Sequence, residues 1–305
     1  MPELPDVVVY VERLRAFTAD RVLTRVRLTS PFLVRTVSPP LSACHGLKVL
    51  DIERSGKRII WVMEQDLFLV MHLMIAGRIR WKKPGMRVPA RGGLAGFDFE
   101  HGTLLFTEQS KKKRASLHVV RGREALQAFH REGLDVFSAS SEEFAARVRL
   151  ENHTLKRTLT DPRLFDGIGN AYSDEILHHA HLSPVKWSTR LTDDEIRRLH
   201  SSTKEILTRF TDRLRDEVGE GFPDKVTAFR ADMAVHGRYQ KPCPDCGKPV
   251  QRIVFADNEH NYCAGCQTGG KLLADRALSR LMKKEWPKTL EAMEETRSAN
   301  RGAGR

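Results

Sequence analysis

Apolar side chains recur at Val7, Val8, Tyr10, Val11, Leu14 and Phe17, a near-helical spacing that predicts one amphipathic helix after Pro2 and Pro5. From residue 21 to 122 the pattern changes to short β-branched and alternating runs: RVLTRVRL, KVLDIE, RIIWVM, LFLVMHLM, GRIRW and GTLLF. Gly, Pro and Ser clusters part them, and so many short strands predict a sandwich or barrel. Helical spacing returns in EALQAFHREGLDVF and SEEFAARVRL, and residues 151–218 read as helical throughout. Within them DEIRRLHSSTKEILTRFTDRLRDEV follows an expected N-cap at Thr192. GEGFPDKVT (219–227) reads as a mobile loop, and residues 243–266 have hairpin character. The tail from about residue 270 is basic and helix-prone, then rich in Gly, Ala and Arg, which predicts partial disorder.

A chain of 305 residues suits two modest domains, or one with appendages. Its ordinary apolar content and high charged fraction are those of a soluble globular protein. No run approaches the roughly 20 apolar residues of a membrane span. Glu3 and Asp6 stand where a signal peptide would be positive, so the expected compartment is the cytoplasm. Fifty-one Lys and Arg against 39 acidic residues leave a formal charge of +12, which favours a polyanionic partner without proving one.

Four of the five cysteines form two CxxC pairs, Cys243/Cys246 and Cys263/Cys266, sixteen residues apart. Two such knuckles can turn four thiolates inward as a tetrahedron, the donor set of a structural Zn²⁺ with no position left for water. Cys44 stands alone and reads as a buried apolar residue. Lys248, Arg252 and His260 lie between the knuckles and can offer cations to a phosphate backbone. In LFDGIGNAYSDEIL, Gly167 and Gly169 precede a helix that starts near Asn170. That arrangement either frees backbone N–H groups for an anion or merely allows close packing. Lys57 follows a turn glycine in RSGKRIIW, and EQSKKKRASL holds Lys111, Lys112, Lys113 and Arg114 between two strands. Removal of Met1 would make Pro2 a free secondary amine, a nucleophile toward an aldehyde-level carbon, with Glu3 beside it as proton donor.

Together, MPELPDV, Lys57 in GKRIIW, HLMIAGR (72–78), DGIGNAYSDEIL (166–177) and the paired CxxC hairpin resemble the formamidopyrimidine-DNA glycosylase/endonuclease VIII family. The resemblance covers residues 1 to about 267. It implies an α+β multidomain fold: an N-terminal helix plus a two-sheet β-sandwich (1–135), a helical helix–two-turn–helix domain (136–235), a zinc-finger β-hairpin (236–270) and a basic tail (271–305). It further implies a bifunctional glycosylase/lyase of base excision repair, monomeric, acting on double-stranded DNA that contains a damaged base. Pro2 would be the Schiff-base nucleophile, Glu3 the acid at the sugar ring oxygen, and Lys57 the cation near phosphate and ring oxygen. His72, Met74, Ile75, Lys111, Lys112, Arg114, Lys156, Asn170 and Asn258 would contact DNA, Cys243, Cys246, Cys263 and Cys266 would hold one structural Zn²⁺, and Glu175 occupies the family's acidic position.

Four positions depart from that pattern. Asp6 stands where the family has Glu, and Ile75 takes the place of the methionine that fills the vacated base's space, with Met74 adjacent. EQSKKKRASL replaces a loop that carries an arginine and an aromatic wedge, and Asn258 replaces a phosphate-clamping arginine. Leu4 leans toward the branch that removes oxidised purines (formamidopyrimidine and 8-oxoguanine type) by β,δ-elimination. The alternatives are an endonuclease VIII-like enzyme for oxidised pyrimidines or another atypical lesion, and a non-catalytic, zinc-stabilised binder of damaged DNA.

Overall fold

The computed structural model describes residues 1–130, 132–224, 226, 230–255, 258–273, 287–293 and 295, except the side chains of Phe255 and Asn258. The chain divides into two compact units. Unit 1 comprises Met1–Gly133 and Leu207–Ala228, and unit 2 comprises Leu134–Ile206 and Phe229–Arg305.

Unit 1 opens with α1 (Leu4–Thr18), followed by nine strands: β1 (Val22–Leu23), β2 (Arg25–Leu28), β3 (Leu47–Ser55), β4 (Arg58–Met63), β5 (Leu67–His72), β6 (Gly77–Lys82), β7 (Gly93–Phe99), β8 (Gly102–Glu108) and β9 (Ser116–Arg121). They form two antiparallel sheets, ordered β1-β3-β4-β5-β9 and β2-β7-β8-β6. Alternation of side chains along a strand decides which residues meet. On β4, Ile59, Trp61 and Met63 join one core with Phe97, Phe99, Leu104 and Phe106, together with Val7, Tyr10 and Leu14 of α1. Trp61 is fully buried and stacks on Phe97 and Phe99 with ring centroids 5.7 and 6.1 Å apart. The intervening Ile60 faces the other way and packs with Phe68, Val70, Val120 and Leu126.

The strand runs of the sequence fall on β1 to β6 and β8. By contrast β7, GLAGFDF, carries no such run, because its two glycines and alanine dilute the β-branched signal. The expected helix over EALQAFHREGLDVF reduces to α2 (Arg123–Leu126) and a single 3₁₀ turn, Gln127–Phe129. Beyond it Asp135 accepts the Phe137 amide at 3.0 Å, a local side-chain turn that competes with helix.

Residues 219–224 are not the loose loop their composition suggests. Phe222 packs on Tyr10, Phe17 and Trp81. The Arg13 guanidinium reaches the Gly221 carbonyl at 2.8 Å, and Arg80 reaches that of Asp224 at 3.2 Å.

Unit 2 holds α3 (Ser141–Arg149), α4 (Leu155–Thr160), α5 (Asn170–His179) and the first half of α6 (Asp193–Val218), then β10 (Val250–Phe255), β11 (Asn258–Cys263) and α7 (Ala264–Thr268). Residues 161–169 and 180–192 break the expected helical run. Thr192 caps α6 as expected: its hydroxyl accepts the Glu195 amide at 3.2 Å, and the Glu195 carboxylate accepts the Thr192 amide at 3.0 Å. β10 and β11 pair in antiparallel register from Val250↔Cys263 to Phe255↔Asn258. Of the tail, Leu290 is 2% exposed and packs with Ile253, Tyr262 and Ala264 of the hairpin; most of the rest lies outside the described residues. Among the described residues no helix is long and apolar enough to cross a membrane.

Asp98 on β7 ties three strands of the second sheet together. It accepts from Arg27 Nε at 2.6 Å, Arg25 Nε at 3.1 Å and Thr103 Oγ1 at 2.8 Å. Burial pushes its carboxyl up, but the bonds from Arg27, Thr103 and Arg25 outweigh it and hold the group below the usual carboxylate range. A carboxylate depressed in the fold stabilises the protein at neutral pH and loses that contribution as pH falls below about 4. Asp98→Ala should therefore cost about 2 kcal/mol in urea unfolding at pH 7, and the gap from the parent should narrow on acidification toward pH 3.

Candidate functional site

The start of α1 is fixed by its own carboxylates. Pro5 suits the first helical turn, and Glu3 and Asp6 form a reciprocal capping box in which the Glu3 amide donates to Asp6 Oδ2 at 2.8 Å. The shorter Asp6 thus reaches its partner. The box holds Glu3 at 2% exposure and buries Pro2. Burial lowers the affinity of the Met1 α-amine for its proton; Arg78 and Lys57 push it the same way, Glu3 and Asp6 the other. The amine of Met1 stands here for that of Pro2, one residue further in. Burial lifts Asp6 to about 7, against the hydrogen bond from the Glu3 amide and with the Glu3 charge adding to it.

Lys57 follows Gly56, whose φ of 60° makes the tight β3–β4 turn, and is half-buried. His72 ends β5, paired in register with Arg58 on one side and Ser116 on the other. The 73–77 loop then folds back on itself: the Gly77 amide donates to the Leu73 carbonyl at 2.9 Å. A Cβ at Gly77 would fall 2.1 Å from that oxygen, so only glycine closes this loop. Leu73 turns into the core, Met74 is half-buried at φ 53°, and Ile75 projects outward at 56% exposure.

Lys111, Lys112 and Arg114 are exposed. Their loop is anchored by Glu108, 1% exposed, which accepts the Arg114 amide at 3.1 Å and the Ala115 amide at 3.2 Å while Lys113 binds its carbonyl. The sequence patterns single out neither Glu108 nor Arg78. The available signal is a carboxylate ending an apolar strand before four cations, and the last residue of HLMIAGR.

In unit 2, Gly167 (φ 76°) and the N-cap Gly169 lead into α5. The Asn170 side chain donates to the Glu259 carbonyl of β11 at 2.9 Å. Lys156 is not presented to solvent as an expected phosphate ligand would be. At 2% exposure its ammonium is enclosed by Asp174 and by the Asn170 carbonyl at 2.5 Å. Asp174 also meets His236 Nδ1 at 2.8 Å and Asn261 Nδ2 at 3.4 Å. Its burial pushes it up, yet the Lys156 charge and the His236 bond prevail and hold it below the carboxylate range. The neighbouring Glu175 accepts the amides of Ala234, Val235 and His236 at 2.6, 2.9 and 2.8 Å.

The four cysteines converge as expected. All four Sγ atoms lie within 4.8 Å of one another, with Cys243–Cys266 at 3.8 Å and Cys246–Cys263 at 3.4 Å. Thiolates about 2.3 Å from a tetrahedral Zn²⁺ stand about 3.8 Å apart, so the donor set fits a structural zinc, and the protein has that site. A Cβ at Gly265 would come 3.1 Å from Cys246 Sγ, which keeps that second knuckle free of side chains. The expected cations of the hairpin are only partly delivered. Arg252 stacks on Tyr239 and pairs with Glu259 at 3.2 Å, while burial and the Lys156 charge push His260 down to about 4, leaving it neutral. The side chain of Asn258 lies outside the described residues.

Three family profiles match the chain. Residues 1–126 match the formamidopyrimidine-DNA glycosylase N-terminal domain, 133–215 its H2TH domain, and 240–269 the zinc finger found in FPG and IleRS. The formamidopyrimidine-DNA glycosylase of Thermus thermophilus is 32% identical over 281 residues, covering 88% of this chain and 100% of that one. An uncharacterized formamidopyrimidine-DNA glycosylase-like protein of Mycobacterium tuberculosis is 40% identical over 151 residues, half of this chain and 94% of that one. Among solved structures, the MutM (Fpg) protein of Thermus thermophilus superposes with a TM-score of 0.72 at 30% identity, covering 87% of this chain and 98% of that one. The Lactococcus lactis Fpg in complex with abasic-site DNA shares the fold, with a TM-score of 0.76 at 23% identity over 87% of this chain and 99% of that one.

Metal ligation that gathers two knuckles and a hairpin supplies folding free energy. Elemental analysis should find one zinc per chain, and stripping it with a chelator should lower the thermal midpoint and erase the hydrogen-exchange protection of residues 250–254 and 259–263.

Proposed function

The chain belongs to the formamidopyrimidine-DNA glycosylase family, and from that premise we propose that it is a DNA glycosylase/lyase of base excision repair whose nucleophile is the amine of Pro2 once Met1 is removed. The observation that carries this reading is the dry niche at the start of α1. Burial there, with Lys57 and Arg78 nearby, favours a neutral amine, and Glu3 and Asp6 lie on the same turn. The Pro2 lone pair bonds C1′ as the C1′–base bond breaks and its electron pair leaves with the base, which takes up a proton. Glu3 protonates the ring oxygen as the sugar opens to the iminium. Asp6, poised near neutrality, accepts the proton the amine sheds. Loss of a C2′ proton to solvent then expels the 3′ phosphate and loss of the C4′ proton the 5′ phosphate, with Lys57 beside the departing anion, and water hydrolyses the iminium to release the enzyme.

The remaining groups read as DNA contacts. Ile75 is the presented wedge for the space an everted base leaves, with Met74 behind it and His72 at the strand end. Lys111, Lys112 and Arg114 face solvent on a loop whose backbone Glu108 fixes, and Asn170 sits at the start of α5. Lys156 acts through Asn170, whose carbonyl it holds. We assign Asn258, in the hairpin, a DNA contact as well. The substrate on this reading is double-stranded DNA with an oxidised purine, bound by a monomer in the cytoplasm.

Borohydride reduction of the iminium tests the chemistry. Mature protein should form a covalent adduct with abasic-site DNA, and Pro2→Gly should trap at least about 100-fold less. A binder without chemistry would trap nothing, and Pro2→Gly would then match the parent. Ile75→Ala should cut excision of a paired lesion about tenfold while leaving cleavage of a preformed abasic site within about twofold. In a panel of single-lesion duplexes, faster excision of oxidised pyrimidines than of oxidised purines would reassign the lesion class.

A further inference from the structure

Asn170, Asp174 and His178 recur every four residues and so form one stripe along α5. Each meets the cysteine module or the segment leading to it. Asn170 donates to the Glu259 carbonyl and Asp174 binds His236 and Asn261. His178, 3% exposed, places Nε2 3.2 Å from Cys243 Sγ. The same Nε2 lies 3.6 Å from Asp245 Oδ2, beyond ordinary hydrogen-bond reach.

We propose that His178 is a positioning residue of the zinc site, donating its Nε2–H to the Cys243 thiolate and fastening α5 to the metal's own ligand. A metal-bound thiolate has no proton to give, so the proton shared across this contact must sit on Nε2. The bond draws charge from the sulfur, fixes its lone pair toward the helix, and replaces the water that would otherwise assist its protonation and release. Outer partners of this kind hold ligands in place, and their loss commonly weakens metal binding roughly 10–100-fold. The proposal needs only the zinc site, so it stands or falls separately from the glycosylase chemistry.

The rival is that His178 is itself a ligand, because its Nε2 also falls within 4.8 Å of the Cys243, Asp245 and Cys266 donor atoms. Four thiolates already complete a tetrahedron, which favours the outer position. Zinc transfer to a colorimetric chelator decides between a bond and mere filling of space. Release from H178F should be about 10–100-fold faster than from the parent, and H178Q, which keeps an N–H at similar reach, should stay within about threefold. Equal release from H178F and the parent would overturn the proposal. Cobalt-substituted H178F should keep the thiolate-to-metal absorption of four sulfurs; a spectrum that changes as for a lost imidazole ligand would overturn it in favour of the rival. If H178F does not fold, cadmium NMR of the parent settles the same question: scalar coupling from the imidazole Nε2–H to the metal through sulfur supports the bond, and its absence refutes it.

Discussion

A carboxylate taken out of water needs donors in exchange, and both units are organised around that requirement. Asp6 takes an amide of its own helix start, Asp98 takes two guanidinium groups and a hydroxyl, and Glu108 takes two loop amides. Asp174 takes an ammonium and an imidazole, and Glu175 takes three successive amides. Most of these satisfied carboxylates pin a segment with no regular structure of its own: the chain start, the cationic loop, or residues 234–236. Pro2 and Glu3 ride on the first of those segments and Lys111 to Arg114 on the second, so their backbone is set by buried charge, whereas Lys57, His72 and Asn170 are placed by the ends of β4, β5 and α5.

That division explains what could be read from the sequence. Strands β3 to β6 and the cap at Thr192 are local patterns, and the cysteine knuckles carry their geometry in their spacing. The family motifs single out Pro2, Glu3, Lys57 and Ile75 because each lies in a short contiguous stretch. Lys156 is the opposite case. Its sequence neighbourhood gives a cation at the head of a helix, while its burial follows from Asp174, eighteen residues on. Glu108 and Arg78 acquire their roles only through loops that fold back on them. The glycine-rich β7 was hidden because a strand inside a sheet is held by its neighbours, whatever its own propensity.

Two departures from the family pattern, Ile75 and the 111–114 loop, are exposed, while a third, Asp6, is buried at the start of α1. Lysines at 111 and 112 are mobile point charges where an arginine would offer a planar fork, so they suit attraction to phosphate more than recognition of a base edge. Ile75 is shorter and stiffer than methionine, and an apolar wedge of that shape fills a gap by fit more than by adaptation. Glu3 and Lys57 match the family, and Asp6, the changed residue, still closes the capping box with Glu3. In unit 1 the start of α1 is thus buried and tightly bonded, whereas residues 75 and 111–114 are exposed and free to vary.

Phe222 packs on Tyr10, Phe17 and Trp81, although its segment leaves the ribosome only after the first half of unit 2. Synthesis at roughly 5–20 residues per second places several seconds between the last strand of the sandwich and the segment that covers this aromatic cluster. During that interval the nascent sandwich shows an uncovered aromatic surface made by Tyr10, Phe17 and Trp81. A ribosome-bound first unit is therefore incomplete and sticky, and its core closes only once the intervening residues 134–206 have been made.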